Sequence, residues 1–182
     1  KGYGYKHISF ILDRGYFSKE NIESMDSLGY DFVIMVKGMK SFVNDAIKQV
    51  HGTFEDKRQN TIKRYSVNGT TLKMPVFYSV EKDRYLHIYY SYKKAALERA
   101  EIEAKIERIA THLKKYEGKN VELDKSCEKY FSLEYYHKGK KDQCFVCALE
   151  KTEVVEAELK LCGYFCIITS EDMKAKDALE LY

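Results

Sequence analysis

Across 182 residues, 31 Lys and Arg stand against 28 Asp and Glu, a formal charge of +3, so no global charge announces a nucleic-acid binder and any basic surface must be local. The length suits one large domain, or one domain with an insertion, and 16 Tyr and 9 Phe with a single Pro point to aromatic-rich strands and exclude a disordered chain. Five cysteines (Cys127, Cys144, Cys147, Cys162, Cys166), with no secretory signal and no apolar run long enough to span a membrane, read as reduced thiols in a cytoplasmic protein.

The first predicted unit is strand 6–13, helix 19–28 and strand 31–37. Ser18 is placed to cap the helix, Glu20 suits the positive end of its dipole, Phe17 can staple onto Ile22, and Gly29 ends it. The run Asp31-Phe32-Val33-Ile34-Met35-Val36-Lys37 has the continuous apolar character of a strand buried on both faces. A short helix between two such strands predicts a right-handed parallel crossover, hence an α/β core.

After Gly38 a helix near 40–50 leads into three alternating strands, 61–67, 72–80 and 84–92, with Asn68-Gly69 as the hairpin signal between the first two. In the third, Leu86, Ile88 and Tyr90 form a packed face, while Tyr85, His87 and Tyr89 form one partly wet. From Lys93 to Tyr116 a long amphipathic helix carries Ala95, Ile102, Ile106, Ile109 and Leu113 on one stripe. Strands 128–137 and 143–150 make another hairpin across the basic turn His137-Lys138-Gly139-Lys140-Lys141. A short helix at 153–160, a buried strand at 164–169 and a helix from a Ser170 cap to Tyr182 return the chain to α/β character. The start at Lys1 without Met, and the helical reading of the last residues, suit a segment of a longer protein.

Asp13 ends the first strand. Two roles are open to it: capping the next turn or pairing with Arg14, and ligating Mg²⁺, which prefers carboxylate oxygens. Cys144-Phe145-Val146-Cys147 has CxxC spacing, but inside a strand residues three apart face opposite ways, which favours inert buried thiols over a zinc or redox site. The five histidines are scattered, and no nucleotide-binding glycine loop is present. Arg14, Lys37 and Lys40, with the cluster Lys57, Arg58, Lys63 and Arg64, are candidate phosphate contacts if the fold brings them together; a solvated surface is the competing role.

Asp13-Arg14-Gly15-Tyr16-Phe17-Ser18, Asn21, Gly29-Tyr30-Asp31-Phe32-Val33-Ile34 and Lys37 resemble the middle of bacterial insertion-sequence transposases of the DDE type. Gly163-Tyr164-Phe165-Cys166-Ile167-Ile168-Thr169 and Ala178-Leu179-Glu180-Leu181-Tyr182 look like the strand and helix start before that family's Tyr, Arg, Glu, Lys signature, with Tyr182 as its Tyr. The resemblance covers roughly residues 6–40 and 162–182.

It implies a ribonuclease-H-like core (about 1–40 and 161–182) interrupted by a β-rich α+β insertion (41–160) with one long amphipathic helix. It further implies Mg²⁺ or Mn²⁺ held by two Asp and one Glu, and DNA (transposon ends and target) as partner, and it admits a homodimer of the parent protein. Only Asp13 matches a catalytic position, as the second Asp; the first Asp and the Glu would lie outside these residues, so the isolated chain is expected to be inactive. Glu171 and Asp172 are weak substitutes, since a helix first turn accounts for them. Two other readings stand beside this one: a noncatalytic β-rich oligomerisation or partner-binding module, and another ribonuclease-H-like nuclease.

Overall fold

The computed structural model describes residues 8–38, 41–76, 82–137 and 139–182, and shows a mixed α/β protein. The chain divides into two compact units, residues 1–92 with 163–182, and residues 93–162.

The first unit is built on a six-stranded sheet. Its strands are β1 (Ser9–Leu12), β2 (Asp31–Met35), β3 (Thr61–Ile62), β4 (Val67–Pro75), β5 (Asp83–Tyr90) and, after the second unit, β8 (Tyr164–Thr169). They lie in the order β1-β2-β8-β5-β4-β3. Only β1 and β2 are parallel, with Leu12 opposite Ile34; every other pairing is antiparallel. The apolar runs of β2 and β8 take interior places, where both faces are covered, and Ile34, Ile167 and Ile168 are fully buried. Around this sheet run α1 (Lys19–Ser27), α2 (Ser41–Val50) and α5 (Ala175–Leu181).

Helix α1 begins and ends as its sequence dictates. Ser18 Oγ accepts the Asn21 N–H at 3.1 Å, and Gly29 follows the last turn at φ +69°, a conformation that favours glycine. Helix α2 buries Phe42, Val43, Ala46, Ile47 and Val50, a single stripe at helical spacing.

Several expectations are corrected. Asn68-Gly69 is not a turn: both residues lie within β4, opposite Tyr90 and Tyr89. The β3–β4 connection is made by Lys63–Tyr65, closed by Ser66 in the left-handed region at φ 53°. Gly69 is required by a close approach instead, since a Cβ there would lie 3.0 Å from the Tyr89 ring and 3.1 Å from both Ala175 Cβ and Ile62 Cδ1. Gly69→Val is therefore expected to cost about 1–3 kcal/mol by overpacking, read as a lower urea midpoint.

The face of β5 expected to be partly wet is so only at Tyr85, which is half-buried. Tyr89 and His87 are fully buried, and Tyr89 donates from its hydroxyl to the Ala175 carbonyl at 2.7 Å, so α5 closes that face. Ser170 does not cap α5, which begins five residues later; its Oγ accepts the Phe32 N–H at 2.9 Å and donates to Asp31 Oδ1 at 3.1 Å, joining β8 to β2. β1, expected to be buried, is the sheet's edge strand and half exposed, with Ile11 at 56 %. The first compact unit runs on through residue 92, because β3, β4 and β5 extend the same sheet as β2 and β8.

The second unit contains α3 (Tyr92–Lys114, whose first residue closes the first unit), the hairpin β6 (Phe131–Tyr136) and β7 (Cys144–Glu150), and α4 (Thr152–Leu159). The predicted stripe of α3 is the one used. Ile106 and Leu113 are buried with Tyr130, Phe131, Phe145 and Val155, and Ile102 and Ile109 pack against them. A two-stranded sheet is marginal alone; here the helices supply its hydrophobic backing.

Candidate functional site

Asp13 stands just past the C-terminal end of β1, in extended conformation before a single 3₁₀ turn, Arg14–Tyr16. Its Oδ1 accepts the Arg14 N–H at 2.6 Å, capping the turn. The Asn21 side chain donates to the Tyr16 carbonyl at 2.8 Å and so ties this turn to α1. The second partner of Asp13 comes from the far end of the chain. Tyr182, one residue past α5, donates from its hydroxyl to the same Oδ1 at 3.3 Å across 169 residues of sequence. Burial and the adjacent Asp13 carboxylate both hold the Tyr182 phenol above its ordinary pKa.

The expected basic residues do not form one surface. Arg14 is exposed beside Asp13, and Lys37 is exposed just beyond β2, the parallel neighbour of β1. Lys57, Arg58, Lys63 and Arg64 are exposed around β3, at the opposite edge of the sheet, where Arg64 lies 5.4 Å from the Tyr65 ring centroid. Lys40 lies outside the described residues. Glu171 is exposed, and its carbonyl accepts from the Thr169 hydroxyl at 2.7 Å. None of the five cysteines forms a disulfide: Cys127, Cys162 and Cys166 are buried, Cys144 and Cys147 half-buried.

Buried polar groups around Glu55 and His87 are brought together only by the fold. The Glu55 carboxylate accepts the N–H groups of Gly52 and Phe54, each at 3.0 Å, and the hydroxyl of Tyr164, whose oxygen also lies 2.7 Å from His51 Nδ1. Burial acts to raise the Glu55 pKa, but these hydrogen bonds outweigh it and hold the group below its ordinary value.

The second centre is His87, placed between Thr71 Oγ1 (2.8 Å from Nδ1) and Thr169 Oγ1 (2.9 Å from Nε2). Thr169 spends its proton on the Glu171 carbonyl, so Nε2 donates to Thr169 and Nδ1 accepts from Thr71. Burial lowers the His87 pKa to about 4 against a weak opposing pull from Asp172. Because the folded state favours the neutral ring, the unfolded chain binds more protons between pH 6.5 and about 4. Stability is complete above about pH 6.5 and falls by about 3 kcal/mol as pH drops through 4. Urea titrations at both pH values check this, and His87→Gln is expected to flatten the difference.

A divalent cation takes several oxygen donors. Among the described residues no group of three or more His, Cys, Asp or Glu is placed to hold a metal ion. Asp13 offers one carboxylate, and among the described residues both of its hydrogen bonds are accepted by Oδ1. Among the described residues no helix is long and apolar enough to cross a membrane. No family model, no curated protein and no solved structure matches the chain.

Proposed function

We propose that this chain is part of a bacterial insertion-sequence transposase of the DDE type, which cuts and joins DNA strands by metal-dependent phosphoryl transfer, with Asp13 as one metal ligand in a ribonuclease-H-like core. One observation carries the reading. The two stretches whose sequence resembles that family, at opposite ends of the chain, meet at the Asp13 carboxylate through the Tyr182 hydroxyl. The parallel β1-α1-β2 unit is consistent with it, since a strand-end carboxylate beside a parallel neighbour stands where metal-dependent enzymes carry ligands.

On this reading the remaining Asp and Glu belong to sequence flanking these residues, and Mg²⁺ or Mn²⁺ would stabilise the attacking and leaving oxygens of the phosphodiester. Arg14, next to Asp13, and Lys37, just beyond β2, would meet the DNA near the scissile bond, whereas the Lys57–Arg64 cluster would touch it elsewhere. The test uses the protein with its native flanks and DNA carrying the element's ends. Asp13→Asn is expected to abolish Mg²⁺-dependent cleavage, and cleavage at the wild-type rate would overturn the reading.

A further inference from the structure

At the sheet edge opposite Asp13, a cleft of about 980 Å³ is lined by β3, β4, Tyr85 of β5 and residues 172–177. That volume is near the upper end of the ~300–1,000 Å³ of small-molecule and cofactor sites. Three kinds of group share it. Lys73, Lys174 and Lys176 bring positive charge; among the described residues Lys73 and Lys174 have no carboxylate partner, and Lys176 reaches Glu180 only at 3.8 Å. Tyr85 brings an aromatic ring, opposite Lys73 in the β4–β5 register, with the Lys73 ammonium 5.9 Å from the ring centroid. Asp172, Asp177 and Thr71 bring acceptors. The Thr71 proton is committed to His87 Nδ1, so toward the cleft this hydroxyl can only accept.

A simple anion would meet the two aspartates, and a simple cation the three lysines. A nucleotide suits both, because it joins an acidic phosphate to a flat heterocycle whose exocyclic amines donate hydrogen bonds. We propose that this cleft binds a nucleotide unit, with the phosphate at Lys73 and Lys174, the base against Tyr85, and base amines donating to Thr71 and Asp172. The unit is either a free mononucleotide or one position of a single strand. The site lies at the other edge of the sheet from Asp13 and does not depend on the catalytic reading.

Two probes distinguish the sources: dAMP, followed by calorimetry, and a short fluorescein-labelled single-stranded oligonucleotide of dA and dC, followed by anisotropy. Binding of dAMP assigns the cleft to a free nucleotide, and binding of the strand alone assigns it to a polymer; either supports the proposal when the cleft variants weaken it. Lys73→Glu with Lys174→Glu is expected to weaken strand binding at least ~10-fold and to flatten the slope of log affinity against log salt by about 0.7, for the one phosphate the two lysines share. Tyr85→Leu is expected to weaken binding about tenfold with the slope unchanged. Lys174→Glu alone, on an irregular segment, keeps the test meaningful if the strand variants unfold. Failure of the wild type to bind either probe, or affinities unaltered by these substitutions, would overturn the proposal.

Discussion

Asp13→Asn, in the protein with its native flanks, is expected to lower metal-dependent strand cleavage by about 10⁴-fold, the scale of loss when one member of a catalytic set is removed, while leaving the melting temperature nearly unchanged. The pairing of these results is what gives the substitution its force. Asp13 caps a turn through Oδ1, and asparagine caps as well as aspartate. Its amide oxygen can still accept from the Arg14 N–H and the Tyr182 hydroxyl. Only the negative charge and the anionic oxygens are lost, and those are what a hard divalent ion needs. A purely structural Asp13 would leave cleavage intact in Asp13→Asn and show a small stability loss only in Asp13→Ala. Cleavage rates and thermal melts of both variants separate the two roles.

Asp26→Ala is expected to remove about 3–5 kcal/mol of folding stability, as breaking a buried ion pair does. Arg84, on the face of β5 that also carries Leu86 and Ile88, is buried, with 1 % of its side chain exposed, and its guanidinium lies 5.7 Å from the Phe32 ring centroid. Its Nη1 donates to the Asp83 carbonyl at 3.0 Å, and Asp26 of α1 is its anionic partner among the described residues. Burial lowers the Arg84 pKa, yet a guanidinium stays protonated at any working pH. Without Asp26 a full charge would remain in the core. Replacing both together, Asp26→Leu with Arg84→Met, is expected to restore most of the loss, because the pair's own attraction is largely offset by desolvation. Urea denaturation of the single and double variants measures the difference; a single-variant loss below about 1 kcal/mol would mean that water solvates the pair.

The elements that could be read in advance are those whose signals are local. Ser18 and Gly29 bound α1 through their own backbone chemistry, the stripe Ile102, Ile106, Ile109 and Leu113 orients α3, and the apolar run Tyr164–Thr169 could only be an interior strand. Local signals also misled. Asn68-Gly69 is a strong turn dipeptide in isolation, but Gly69 is glycine because Tyr89, Ala175 and Ile62 close on it from distant parts of the chain. Ser170 has the chemistry of a cap, yet its hydroxyl is claimed by Phe32 and Asp31, some 138 and 139 residues away.

The candidate sites divide in the same way. The residue types and their strand-end or strand-face positions were legible: Asp13 after an apolar strand, the basic residues near 57–64, His87 alternating with Leu86 and Ile88. By itself the sequence determined a mixed α/β chain with these elements, because helix caps, turn preferences and hydrophobic periodicity act over a few residues. Only the tertiary structure decided which residues meet: Tyr182 at Asp13, Asp26 at Arg84, Thr71 and Thr169 at His87, and the separation of the expected basic residues between opposite sheet edges. Such meetings depend on strand order and on which helix covers which face, and those are set by burial summed over the whole sheet rather than by any short run of residues.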